Sequence, residues 1–202
     1  MPEYTGPHDY FDPAYVNEWA GAANSRRPYR AEFFNAFVAE LAVISRPKIL
    51  EIGSGPGFLA EQVLARCDVA AYHLFDFSPH MLGLSRARLA HYGQRATFHE
   101  GSFLNEGWWH HLPTPFDAAL SLQAVHEVRD AARIPRLYGE LKMLLKEGGV
   151  LLIADQVNDE DREEEHFLRV SEHEAALRRA GFEEFRRVHA AGDLVLFSAK
   201  RY

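Results

Sequence analysis

The chain has one cysteine, Cys67, among 202 residues. A single thiol supports neither an internal disulfide framework nor a multi-cysteine metal centre, so the fold must rest on its core. Basic residues are in deficit: 22 Lys and Arg against 29 Asp and Glu give a formal charge of −7. That balance argues against a protein that holds nucleic acid by neutralising phosphates, which takes clustered cations. The densest basic groups, Arg26-Arg27 with Arg30 and Arg86 with Arg88, read as solvated helix faces. The first ten residues lack the basic-then-apolar layout of a secretory leader, and no apolar run reaches the ~18–20 residues of a membrane span. A cytoplasmic protein without membrane attachment is the expectation. There is no internal repeat, and the charged run Asp159–Glu165 reads as a solvated loop or helix start.

Hydrophobic residues make up 47% of the chain and charged residues 25%, enough for a sizeable core. The length suits one domain over 1–202, with an arm and helix in 1–46 covering the site and a core in 47–202. Monomer and homodimer both remain open. Residues 1–30 are rich in Pro, Gly and aromatics without a steady period, whereas Ala31–Ile44 spaces Phe33, Phe34, Phe37, Val38, Leu41 and Ile44 as a helix does. From Lys48 onward strand-like runs alternate with helical stretches. KILEIG precedes Phe58–Cys67, AAYHLFDF precedes Ser78–Tyr92, and ATFHEG precedes a Trp-rich link. FDAALSL then leads to a helix over Asp130–Leu145, and GGVLLIA to a helix over Ser171–Ala180 with a capping box at Ser171–Glu174. Two last strands, Glu183–His189 and Leu194–Lys200, are too close for a crossover helix and must pair antiparallel. The pattern predicts an α/β fold: a doubly wound, mostly parallel sheet of seven strands with an antiparallel C-terminal strand and helices on both faces.

Three alternating glycines in Glu51-Ile52-Gly53-Ser54-Gly55-Pro56-Gly57 stand between a buried strand and a helix. Such a turn lets a ligand approach the backbone and aims helix N–H groups at it, as nucleotide-like cofactors require. Dinucleotide folds use the same device. Their third glycine would fall at position 58, however, where Phe58 stands, and the Lys-Ser/Thr pair of a phosphate-binding loop is missing. Asp76, nineteen residues beyond Gly57 at a strand end, is placed to accept both hydroxyls of a ribose or to serve as an ordinary turn residue.

The stretch Ile49–Gly57, with an acid two places before the first glycine, resembles the first motif of the class I S-adenosylmethionine-dependent methyltransferases, which have a Rossmann-like fold. Asp76, Glu100-Gly101-Ser102-Phe103, Phe116–Glu127 and Lys146-Glu147-Gly148-Gly149 resemble its later landmarks in order, over roughly Lys48 to Asp155. The resemblance implies S-adenosylmethionine as cofactor and S-adenosylhomocysteine as product. It places the amino-acid end of the cofactor over Gly53, Ser54, Gly55 and Gly57, with Glu51 facing its ammonium. Asp76 would hold the ribose, Phe77 and Met81 the adenine slot, and Gly101, Ser102 and Phe103 the adenine edge. Ser102 stands where the family has an acid. Ser121 and Leu122 close the fourth strand beside the cofactor.

A sulfonium is already activated, so such an enzyme mainly aligns acceptor and methyl group and excludes water. A hydroxyl or protonated amine also needs a base, and His126 with Glu127, in the loop after the fourth strand, are the candidates. His126 can equally shape the site or cap a loop. His110-His111 offer an alternative base or, with His126 and Glu127, a metal cluster; no metal is expected, because no HExxH-like pair supports one. Tyr10, Phe11, Tyr15 and Trp19 give the arm an aromatic body that either folds over the cofactor or covers a sheet edge. Arg27-Pro28 could reach the cofactor carboxylate. No Asn/Asp-Pro-Pro-Tyr follows the fourth strand and no large insert is present, so a small-molecule acceptor is expected, and no nucleic acid. The alternatives are a protein or RNA side group as acceptor, or a non-catalytic cofactor-binding protein.

Overall fold

A computed structural model of the chain describes residues 8–158 and 166–202. The run Asp159–Glu165 lies outside them. The chain forms two compact units, Met1–His111 and Leu112–Tyr202.

In the first unit β1 (Lys48–Ile52), β2 (Ala71–Asp76) and β3 (Ala96–Glu100) pair in parallel in the order β3-β2-β1. All of β1 but Lys48 and all of β2 but Ala71 are buried, the near-continuous burial of parallel strands covered on both faces. Ile52 lies opposite Phe75, so the glycine turn after β1 and Asp76 at the end of β2 share one end of the sheet. Among the described residues, the α-helices α1 (Pro13–Arg26), α2 (Arg30–Leu41), α3 (Phe58–Arg66) and α4 (Pro79–Leu89) accompany these strands. The start of α4 follows its sequence signal, with the Ser78 hydroxyl accepting from the Met81 N–H at 3.1 Å and Pro79 at the first position.

α1 falls where the sequence reads as an arm without a period. Its start signal is Asp12-Pro13, and the Asp12 carboxylate accepts from the Ala14 N–H at 2.9 Å. The faint pattern has a physical reason: only Val16 and Ala23 of its fourteen residues are buried.

In the second unit β4 (Phe116–Leu122), β5 (Leu145–Asn158), β7 (Glu184–Ala191) and β8 (Leu194–Lys200) lie in the order β4-β5-β8-β7. β4 and β5 are parallel, and β8 runs antiparallel to both β5 and β7. Among the described residues the strands number eight rather than seven, because a two-residue β6 (Leu168–Arg169) pairs with the far end of β5. β5 outruns GGVLLIA at both ends, since its last residues pair with β6 and with Leu194 on β8. α5 (Ile134–Leu144) starts four residues later than expected, after a short 3-10 turn that precedes Pro135. α6 (Val170–Arg179) also starts off the expected cap: Glu172 reaches back to the Arg169 N–H at 2.6 Å, so Ser171 lies inside the helix. The helix begins where the β6 pairing ends. Among the described residues, no helix is long and apolar enough to cross a membrane.

Candidate functional site

All three glycines of the turn have positive φ, +61° at Gly53, +54° at Gly55 and +79° at Gly57, the left-handed region that side chains resist. Their surroundings differ. A Cβ on Gly57 would lie 3.0 Å from Ser85 Oγ, whereas one on Gly55 would meet nothing within 4 Å. Gly57 is therefore fixed by packing, and Gly55 faces open space where a ligand can lie against the backbone. The turn is clamped from α4: the Ser85 hydroxyl donates to the Gly55 carbonyl at 2.7 Å and Arg88 Nε to the Pro56 carbonyl at 2.9 Å. Gly57→Ala is expected to lower stability by about 1–3 kcal/mol through backbone strain and crowding, read by chemical denaturation. Gly55→Ala should spare more of the stability and instead weaken cofactor binding, read by calorimetry.

Ser54 is buried and its hydroxyl has no partner among the described residues, an orphaned polar atom in a turn open to a ligand. Asp76 is buried, with Oδ2 accepting from the Gly55 N–H at 2.8 Å and Oδ1 from the Ser78 N–H at 2.9 Å. It ties the glycine turn to the end of β2, and its remaining lone pairs are what a ribose diol could use. Burial pushes this carboxyl up to about 6 against the pull of backbone N–H groups from Ser78, Gly55 and Phe77.

Glu51 is 2% exposed and accepts from the Tyr72 hydroxyl at 2.7 Å. Burial pushes its carboxyl up to about 8; the Tyr72 hydrogen bond and Arg30 oppose this, and Asp76 adds to it. Arg30 is the partner that sequence reasoning missed. The sequence points to Arg27, yet Arg30, at the start of α2, is 6% exposed and its Nε has no partner among the described residues. It lies over the rings of Phe34 and Phe58, and burial lowers its guanidinium to about 10, so it stays charged at neutral pH. Arg27 and Arg30 together line a cleft of about 280 Å³ with Asn24, Asn35 and Gln62. The sequence signal was an arginine on the apolar face of the Phe33, Phe34, Phe37 helix.

Phe77 is half-buried, and the arm meets it: Tyr10 and Phe11 contact its ring edge-on at 5.7 and 5.6 Å, and the Ser78 hydroxyl donates to the Tyr10 carbonyl at 2.6 Å. Met81 is buried. Gly101 receives an approach no side chain would permit, since a Cβ there would lie 2.9 Å from Phe75 Cζ. The Ser102 hydroxyl accepts from the Leu104 N–H at 3.2 Å, and Phe103 is half-buried.

In the second unit Ser121 is fully buried at the end of β4 with its hydroxyl unpartnered among the described residues, and Leu122 is buried beside it in sequence. The next residue, Gln123, has φ of +58°, an uncommon backbone state for a side chain, and its buried Oε1 also lacks a partner among the described residues. Past this turn His126 is held twice by Asp155. The His126 N–H donates to Oδ2 at 2.7 Å, and Nδ1 meets Oδ1 at 2.6 Å. An ionised carboxylate only accepts, so Nδ1 carries the proton and Nε2 keeps a lone pair. Glu127 Oε1 lies 3.7 Å from that Nε2, and Arg129 reaches Glu127 at 3.4 Å. Asp155, 1% exposed, is a residue the sequence reading passed over; its only sign there was an acid at the end of an apolar strand. Phe167 meets the His126 ring edge-on at 5.2 Å, and its carbonyl is held by Asn158 Nδ2 at 2.6 Å.

His110 packs against Gly107 and His111 lies near Phe75 and His99. Among the described residues, no three His, Cys, Asp or Glu side chains converge as metal ligands.

Residues 49–149, half of the chain, match the methyltransferase domain family. No curated protein matches the sequence. Among solved structures, a candidate O-methyltransferase from Nostoc punctiforme superposes with a TM-score of 0.73 at 18% identity, over 91% of this chain and 60% of that one. Human N-acetylserotonin methyltransferase in complex with S-adenosylmethionine gives 0.73 at 17% identity, over 95% and 57%. The [4+2]-cyclase SpnF gives 0.66 at 18% identity, over 84% and 80%. The chain thus spans about 60% of the length of the first two, and at these identities the likeness is one of fold.

Proposed function

The chain belongs to the methyltransferase domain family, and on that premise we propose that it is an enzyme that uses S-adenosylmethionine to methylate a hydroxyl group of a small molecule. The orphaned Ser54 hydroxyl, the open face of Gly55 and the buried side chains of Glu51 and Arg30 suit the amino-acid end of that cofactor: an acid for its ammonium and a guanidinium for its carboxylate. Within the first unit, Asp76 takes the ribose, and Phe77, Met81, Gly101, Ser102 and Phe103 border the adenine. When bound, the cofactor would supply an electrophilic methyl group on a sulfonium, with neutral S-adenosylhomocysteine as the leaving group.

The observation that carries the acceptor class is the doubly held imidazole. A thiolate or a stabilised carbanion needs no such base, whereas a neutral hydroxyl does, and so does a protonated amine, the alternative acceptor that the substrate screen includes. His126 Nε2 takes the acceptor proton as the carbon–oxygen bond forms, and Asp155 stabilises the imidazolium and keeps the ring in the tautomer that accepts. Glu127 supports the same cation from the other nitrogen. The absence of a base-methylating motif and of a long insert favours a small molecule over a protein or RNA side group. A fold shared with a cyclase keeps a cofactor-binding protein of other chemistry as the second reading.

Calorimetry with S-adenosylmethionine, S-adenosylhomocysteine and NAD in parallel tests the donor. Binding of the first two without NAD is expected, and NAD alone would overturn it. Release of S-adenosylhomocysteine is then scored against small phenols, alcohols, amines and thiols. Turnover confined to thiols would remove the role given to His126.

A further inference from the structure

We propose that His73 and His99 form a two-imidazole site for a divalent transition-metal ion, with zinc(II) as its probe, on the first unit's sheet. Nothing in the methyl-transfer reading uses these residues, and the inference does not depend on it.

On the parallel pair β2 and β3, His73 lies opposite Thr97 and Phe75 opposite His99, which puts both histidines on one face as diagonal neighbours. His73 Nδ1 and His99 Nε2 face each other at 3.0 Å, with ring centres 5.3 Å apart. In the metal-free protein one nitrogen donates to the other. Moving that ring's proton to its far nitrogen, a tautomer exchange with no net proton loss, leaves two lone pairs aimed into one gap. Zinc bound to imidazoles at about 2.0–2.1 Å in a tetrahedron separates two such nitrogens by about 3.3 Å, so the pair must open by a few tenths of an ångström and both rings must turn off the N···N line for their lone pairs to converge on the ion.

Burial disfavours the protonated form of His73, as do His99 and Lys48, and burial with His111 does the same for His99, so the surroundings do not oppose the neutral form that a metal ligand needs. His111 is exposed, its ring 5.8 Å from that of His99, so a rotamer change can bring a third imidazole, with water completing the shell. Two ready ligands and a nearby lysine make this an open, weak site, filled at micromolar rather than nanomolar metal.

The test is a zinc(II) titration of the whole chain by calorimetry at pH 7.5, paralleled by cobalt(II) absorption, which reports tetrahedral coordination. One ion per chain is expected. His99→Gln should weaken it at least about tenfold and His111→Ala by less, while His91→Ala on the exposed surface leaves it unchanged. His73 is 7% exposed and its replacement endangers folding, so the half-exposed His99 carries the test, with circular dichroism as the control. A wild-type chain that binds no zinc, or a His99→Gln titration that superimposes on it, would overturn the proposal.

Discussion

Asp155→Asn is expected to cut kcat by roughly 10²–10⁴-fold and leave the affinity for S-adenosylmethionine unchanged. The carboxylate accepts two hydrogen bonds from His126, one from the peptide N–H and one from the ring. An asparagine can satisfy only one of them with its oxygen; its amide nitrogen then faces a ring nitrogen as a donor and favours the tautomer with the proton on Nε2. That imidazole no longer accepts a proton from the acceptor. His126→Ala should lose a similar amount, and the double variant little more, because the two residues act as one unit. Single-turnover rates with saturating donor and a phenolic acceptor make the measurement. Full activity in Asp155→Asn would mean that the acceptor arrives already ionised. Asp155 also accepts from the Gln156 N–H, so thermal melting of the variant separates lost chemistry from a loosened loop.

The second large effect is a pH dependence of donor binding. With its carboxyl up near 8, Glu51 is neutral in the free protein at pH 7. An ammonium beside it favours the carboxylate, so binding expels a proton, and affinity should rise by up to about tenfold per pH unit between pH 6 and 8. Above that range the donor's own amino group, with an ordinary value of about 7.7–8.0, loses its charge and the curve turns over. Glu51→Gln should flatten the profile and weaken binding at pH 8 by about tenfold or more. Calorimetry in buffers of different ionisation heat counts the expelled proton directly.

The same residue affects folding with a definite sign. Its folded value stands above the ordinary 4.5, so between 4.5 and 8 the folded chain holds more proton than the unfolded one. The stabilisation is complete below 4.5 and is lost as pH rises through 8. Asp76 works in the same direction through about 6. Below about pH 6.5 the lowered histidines, His73 and His99, act in the opposite sense, so the decline is expected above them: melting temperature of the free protein should fall from pH 7 to 9, and less so in Glu51→Gln. A flat wild-type profile would contradict the burial of these acids.

Much of this architecture is written in short-range patterns. KILEI, AYHLFD and FDAALSL are continuous apolar runs because both faces of those strands are covered, and such runs stand out from a single sequence. α1 does not stand out, because few of its side chains are buried, and β6 is only two residues long. The glycine turn was legible since left-handed backbone demands glycine itself. Arg30 and Asp155 were not: what distinguishes Arg30 is burial over the rings of Phe34 and Phe58, and what distinguishes Asp155 is its contact with His126, 29 positions away, and spacing in the chain carries no record of either. Gln123 shows the same limit, since a positive φ on a non-glycine residue leaves no mark in composition.

The double hold of Asp155 on His126 has a further consequence. A histidine tied at both its peptide N–H and its ring has given up its rotameric freedom when the protein folds, a cost of order 0.5–1.5 kcal/mol for a side chain ordered only on binding. On the proposed reading, with His126 as the base, encounter with an acceptor would require no search by that base, and a molecule unable to bring its proton-bearing atom to a stationary nitrogen would be refused, because the nitrogen does not travel to meet it.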